Sequence, residues 1–183
     1  KCRLMPYLYG QAVRSHTEGR PVLRPMVLDF PQDRACDTLD RQYMFGDSLL
    51  VAPIFKENGE VQYYLPEGTW YNLITEKEVT GGKWQKETHD YHSLPLMVRP
   101  NSILPLGNND QRPDYDYEDG VTLVVSAFDE GAEASVEIPD LSGETVMKVN
   151  AKRVGDEIHL HVEGGNGNYT VKSLSDRKVV VEA

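Results

Sequence analysis

Cysteine, tryptophan and phenylalanine are scarce in this chain, with 2 Cys, 2 Trp and 4 Phe in 183 residues. Cys2 and Cys36 lie far apart, with no CxxC pair and no metal-ligand spacing. That excludes a multi-bridge disulfide scaffold and a cysteine-based zinc site. The reading adopted is two free thiols in a reducing compartment, and the expected location is cytoplasmic. Positive charge is short as well: Lys+Arg number 19 against 29 Asp+Glu, for a net charge of −10. The longest basic clusters are Lys152-Arg153 and Arg177-Lys178. A nucleic-acid partner needs clustered cations to neutralise phosphates, so none is expected. No apolar run approaches the roughly 20 residues that cross a bilayer, and no membrane partner is expected.

Glycine and proline are plentiful, at 15 and 11, which favours many short elements over long helices. Residues 3–18 form the exception. Leu4, Leu8 and Ala12 recur at spacing four, as do Met5, Tyr9 and Val13, and Gly19 followed by Pro21 supplies the stop. Val22 to Phe30 (VLRPMVLDF) carries apolar residues at both parities, which predicts a strand buried on both faces. Asp37 is placed to cap a short helix over 38–45, ended by Gly46.

From Ser48 the pattern changes to short strands between turn signals. Strands are predicted at Ser48–Phe55, Val61–Leu65, Thr69–Asn72, Lys83–Glu87, Leu94–Arg99 and Ser102–Leu106. The polar stretch Gly107–Asp114 reads as a boundary. A second β module follows, with strands predicted at Val121–Phe128, Glu133–Ile138, Thr145–Asn150, Glu157–Val162, Tyr169–Leu174 and Lys178–Val181. From Arg112 onward 7 Lys+Arg face 15 Asp+Glu, so −8 of the −10 sits there, as in a separate, well-solvated unit. The fold class is thus mainly β. Two consecutive antiparallel β-sandwich domains, at 48–111 and 112–183, are preceded by a helix–strand–helix segment at 1–47.

Several ordered motifs carry a family resemblance. Pro6-Tyr7-Leu8-Tyr9, Pro21-Val22-x-Arg24-Pro25, Asp29-Phe30-Pro31-x-Asp33, Asp40-x-Gln42-Tyr43-Met44-x-Gly46-Asp47 and Leu50-Val51-Ala52-Pro53 stand in series. Together they resemble the end of the catalytic barrel of glycoside hydrolase family 31, the α-glucosidases and α-xylosidases. Leu65-Pro66-Glu67-Gly68-Thr69-Trp70-Tyr71 and Leu94-Pro95-Leu96-x-Val98-Arg99-Pro100-Asn101-Ser102-Ile103-Leu104-Pro105 resemble that family's first C-terminal β domain. Cys36-Asp37-x-Leu39-Asp40-Arg41-Gln42-Tyr43 and Gly107-Asn108-Asn109-Asp110-Gln111-Arg112-Pro113-Asp114-Tyr115 are similar to the bacterial α-xylosidase branch. The resemblance implies that 1–47 is the remnant of a (β/α)8 barrel whose catalytic part precedes Lys1. It implies a retaining hydrolase acting on terminal α-xylosides or α-glucosides without a cofactor, with two carboxyls roughly 5 Å apart. Both carboxyls would lie upstream, so no catalytic, cofactor or metal residue is assigned. The expected partners are the missing barrel and, as an open possibility, a second copy in a homo-oligomer.

Candidate sites remain within the chain, each with a plainer reading. Asp29 falls at the end of the expected eighth barrel strand, where barrel active sites form, or it is a carboxylate bonded to backbone. Trp70, Tyr71, Trp84 and Tyr91 offer either a sugar platform or core packing, and Trp70 and Trp84 are the substrate-binding candidates. Asp33, Asp37 and Asp40 read as caps before acid/base groups. Asp114 to Gly120 resembles a calcium loop, but its Gly is one place late. His89 and His92 lack a third ligand, and Gly164-Gly165-Asn166-Gly167 reads as a turn. The alternatives to an accessory region are a self-standing carbohydrate-binding module and a structural or oligomerisation module.

Overall fold

Pro6 sits where a helix tolerates it. In the computed structural model, which describes residues 1–182, a 3-10 turn over Cys2–Leu4 leads into helix α1, Met5–Glu18. Proline in the first turn loses no helical bond. Gly19, at φ 70, ends the helix, and its N–H donates to the Ser15 carbonyl at 3.1 Å. Met5 and Tyr9 pack against a hydrophobic core built from the last third of the chain.

The chain divides into two compact units, one of residues 1–20 with 101–183 and one of 21–100. These limits differ from the pattern changes read near 47 and 111. Strand pairing supplies the reason at the second limit. Ile103–Leu106, expected in the first β module, pairs with Val121–Val125 of the second.

The unit 21–100 corrects two expectations. Residues 22–30 are not one strand. Leu23–Arg24 (β1) pairs with Tyr43–Phe45 (β2), and Met26–Asp29 then closes a single helical turn, α2. Pro25 lacks the N–H that the ladder needs, and its φ of −62 already suits a helix start. Burial is likewise not two-sided: Arg24 and Met26 are buried, whereas Leu23 and Leu28 are more than half exposed. The helix expected over 38–45 is absent among the described residues. Asp33 instead caps a 3-10 turn at Arg34–Cys36, its Oδ1 accepting from the Ala35 N–H at 3.0 Å.

Gln42 explains why 43–45 is extended. Its Nε2 donates to the Tyr64 carbonyl and its Oε1 accepts from the Tyr64 N–H, both at 2.7 Å. The side chain copies a strand's bonding and pins the segment to Glu60–Leu65 (β4). The remaining strands here are Leu49–Val51 (β3), Thr69–Asn72 (β5), Glu78–Thr80 (β6), Lys83–Thr88 (β7) and Leu96–Val98 (β8). They form a sheet in the order β1-β2-β3-β8-β5-β6 and a two-stranded sheet β4-β7. Met26, Met44, Leu50, Tyr63, Leu65, Trp70 and Met97 fill the core. Gly81 permits a close crossing, since a Cβ there would lie 1.9 Å from the Pro66 carbonyl oxygen.

The other unit is a β-sandwich. Ile103–Leu106 (β9), Val121–Val125 (β10) and Tyr169–Ser173 (β14) form one sheet, in the order β14-β10-β9. Glu133–Pro139 (β11), Thr145–Val154 (β12), Glu157–Gly164 (β13) and Lys178–Glu182 (β15) form the other. Val121, Leu123 and Val125 meet Ile138, Met147, Val149, Ile158 and Leu160 between them. Two pairings depart from the antiparallel expectation: β10 with β14, and β13 with β15, are parallel. β14 leaves for the opposite sheet, so the chain re-enters beside β13 in the same direction, as a crossover requires. Helix α1 packs on β11 and β9. At Gly10 a Cβ would stand 3.0 Å from the Glu137 carbonyl oxygen.

Candidate functional site

Asp29 lies at the end of α2 and is buried with Arg24, their side chains 2% and 1% exposed. Arg24 holds it in a fork, Nε to Oδ2 at 2.6 Å and Nη2 to Oδ1 at 2.9 Å. The same guanidinium donates to Asp47 Oδ1 at 3.0 Å, the Gly46 carbonyl at 2.9 Å and the Pro21 carbonyl at 3.3 Å. Arg99 adds Nη1 at 3.4 Å from Asp29 and lies 4.5 Å over the Phe30 ring. Both carboxylate oxygens are thus engaged by guanidinium groups, and the side chain is all but closed to solvent. The cluster ties β1, α2 and the turn at Gly46 into one corner, a positioning device that demands full pairing of buried charge.

The aromatic candidates separate. Trp70 is fully buried; its Nε1 donates to the Pro66 carbonyl at 2.8 Å and its ring leans on Phe30. It offers no face to a sugar, which corrects that candidate. Tyr71 is buried too. Trp84 and Tyr91 are exposed, at 59% and 101%. The shared flat platform is missing: Trp84 and Tyr64 are 5.8 Å apart but tilted by 57°. Tyr64 is itself fixed, its hydroxyl donating to Asp33 Oδ2 at 2.9 Å. Burial and Asp33 push that phenol up to about 12, so it stays a donor.

Trp84 borders a cleft of about 370 Å³ that Leu39, Asp40, Arg41, Phe55 and Gln62 also line. Tyr64 and Trp84 are register partners on β4 and β7, as are Gln62 and Lys86, and Glu60 and Thr88. One face of this two-stranded sheet therefore carries Glu60, Gln62 and Tyr64 beside Trp84 and Lys86. Lys56 and Lys86 both bond to Glu60, the latter at 2.9 Å, and hold its carboxyl down to about 2. Alternation along 60–65 places Gln62 on the face of Glu60 and Tyr64, but its neighbourhood to Trp84 depends on the register with β7, which that pattern does not give. Asp40, Arg41 and Phe55 arrive from loops, where no periodicity marks them.

The other motifs are internally satisfied. His89 bonds Glu87 Oε2 at 2.7 Å and Ser93 Oγ at 2.9 Å, so both ring nitrogens are engaged. Glu87 also accepts from the Tyr63 hydroxyl at 2.8 Å, and burial raises the Tyr63 phenol well above its ordinary range. The acidic loop and the glycine-rich turn meet. Asp119 Oδ1 accepts from the Asn166 and Asn168 amides at 3.2 and 2.8 Å. Among the described residues no group of three or more His, Cys, Asp or Glu is gathered to hold a metal. Cys36 is buried, and burial followed by Asp33 and Asp37 pushes its thiol up to about 11, which makes it a poor nucleophile.

The chain is similar to known proteins along nearly its whole length. A family model described as "Glycosyl hydrolase family 31 C-terminal domain" matches residues 19–104, and one described as "Alpha-xylosidase YicI, C-terminal domain" matches 116–183. An alpha-xylosidase of Emericella nidulans is 35% identical over 181 residues, covering 92% of this chain and 23% of that protein. Alpha-xylosidase XylQ of Lactiplantibacillus pentosus is 33% identical, covering 93% of this chain and 23% of that protein. The solved GH31 alpha-xylosidase of Xanthomonas citri superposes with a TM-score of 0.75 at 25% identity, over 97% of this chain and 21% of that one. The chain thus spans about a quarter of the length of the curated relatives it matches.

Proposed function

The chain belongs to glycoside hydrolase family 31, and from that premise we propose that it serves a longer retaining α-glycosidase as its C-terminal accessory β region. The observation that carries this reading is the pair of matches to C-terminal domains, which together take in both β regions. The proposed substrates of the longer protein are α-xylosides or α-glucosides, the bonds that the names of the similar proteins specify. Hydrolysis would use two carboxyls supplied by the preceding barrel. Asp29 does not compete for that role, because Arg24 occupies both its oxygens.

The part played by these residues is packing. Leu23 and Leu28 are exposed on β1 and α2, and Val27 partly so. They present an apolar face of the kind a barrel's own helices and strands would cover, at about 1.5–3 kcal/mol for each side chain fully buried. The proposed division of the longer protein puts a proximal domain within 21–100 and a distal sandwich within 101–183, the latter taking β9 because it pairs with β10. The free cysteines support a cytoplasmic location as part of the same proposal.

The test is a truncation. The longer protein is expected to hydrolyse p-nitrophenyl α-xyloside or α-glucoside. Removal of the residues matching 1–183 is expected to cost soluble, folded enzyme. A truncated enzyme that keeps full activity and thermal stability would remove the accessory role.

A further inference from the structure

We propose that the cleft beside Trp84 is a binding site for a neutral oligosaccharide, separate from any hydrolytic centre and contained within residues 35–84. The ring is exposed, yet it is held in place. Trp84 lies on β7 directly opposite Tyr64, whose ring braces it at 5.8 Å and whose hydroxyl is anchored on Asp33. A sugar's C–H face stacks on such a ring with little ordering cost. Phe55, 70% exposed, adds a second apolar contact on the same cleft.

The polar groups around the ring suit hydroxyls. Asp40, Arg41 and Gln62 line the cleft, and among the described residues none of their side chains makes a hydrogen bond within the chain. The cleft thus presents an acceptor, a cationic donor fork and an amide that both donates and accepts. Glu60 is already neutralised by Lys56 and Lys86, and the lining carries both Asp40 and Arg41, so no strong single-sign field favours an ionic ligand. The volume of about 370 Å³ fits one or two pyranose rings, at the small end of ligand clefts. The choice of α-linked xylosyl and glucosyl sugars as the ligand rests on the function proposed above. The stacking site itself does not.

The 183-residue chain reports on this site directly. Its other tryptophan, Trp70, is fully buried, so a ligand-dependent change in emission comes from Trp84. Isoprimeverose and isomaltotriose, titrated into the chain, are expected to give a saturable change, with binding confirmed by calorimetry. Trp84→Ala is expected to weaken binding by about tenfold or more, as loss of a stacked anchor does. Gln62→Ala is expected to weaken it less, and Tyr91→Ala to leave it unchanged. Both Trp84 and Gln62 are exposed, so these variants keep the fold, which circular dichroism checks. No saturable signal for either sugar up to tens of millimolar would overturn the proposal, as would unchanged affinity in Trp84→Ala. The chain's failure to bind leaves the longer protein's hydrolysis untouched, and loss of that hydrolysis leaves a binding result standing, so the two readings fail separately.

Discussion

Removing Arg24 should damage the unit 21–100 more than any surface change. Arg24→Met keeps an unbranched apolar stem and deletes the fork on Asp29, at 2.6 and 2.9 Å, together with the bonds to Asp47 and to the Gly46 and Pro21 carbonyls. Asp29 then stays 98% buried with Arg99 beside it at 3.4 Å, a weaker contact. Breaking a buried pair from one side costs about 3–5 kcal/mol. Against a total stability of about 5–15 kcal/mol this is a large share. With a urea slope of about 1–2 kcal/mol per molar, the midpoint should fall by roughly 1.5–5 M. Both tryptophans lie in this unit, so fluorescence follows its unfolding alone. Arg24→Met with Asp29→Leu should recover most of the loss, because an apolar replacement of a whole buried pair is close to neutral. Asp47, 29% exposed, can turn to water. A single variant that loses less than about 1 kcal/mol, or a double variant no better than the single, would refute this account of the corner.

Three further outcomes follow from the same contacts. Gln42→Ala leaves the Tyr64 N–H and carbonyl unpaired and should cost about 1–3 kcal/mol for each orphaned group, read by the same urea titration. Gly10→Val pushes side-chain carbon against the Glu137 carbonyl, 3.0 Å from the first added atom, and should cost about 1–3 kcal/mol in a thermal melt of the sandwich unit. Glu60 should remain ionised well below pH 4, because Lys56 and Lys86 lower its carboxyl from an ordinary 4.5 to about 2. Its contribution to folding is therefore complete above pH 4.5 and fades as pH falls towards 2. A carboxyl-carbon NMR titration of the wild type against Lys56→Ala/Lys86→Ala checks both the direction and the cause.

The β character was legible because alternation and turn residues act locally. Thr69–Asn72 begins after Gly68 with the bounds expected, and β11 and β13 follow their alternating apolar residues. Partner choice was not legible. Parallel pairing of β13 with β15 depends on β14 leaving for the other sheet, which no local pattern encodes. The short helix expected at 38–45 gave way because Gln42 spends its amide on the Tyr64 backbone, a contact 22 residues away. Apolar residues at both parities over 22–30 suggested two-sided burial, but Pro25 splits the run into a two-residue strand and one helical turn. At the candidate site, exposure decided between two similar tryptophans. Trp70 and Trp84 both lie on strands, and only pairing and packing show which face each presents.

The proposed accessory role has these residues support α-glycoside hydrolysis by a longer protein without carrying out its chemistry. The most direct measurement is turnover of p-nitrophenyl α-xyloside and α-glucoside by the purified 183-residue chain, beside a mock purification. The account predicts rates indistinguishable from the mock preparation at every chain concentration. Product release that rises in proportion to the chain, and that survives repurification, would contradict it.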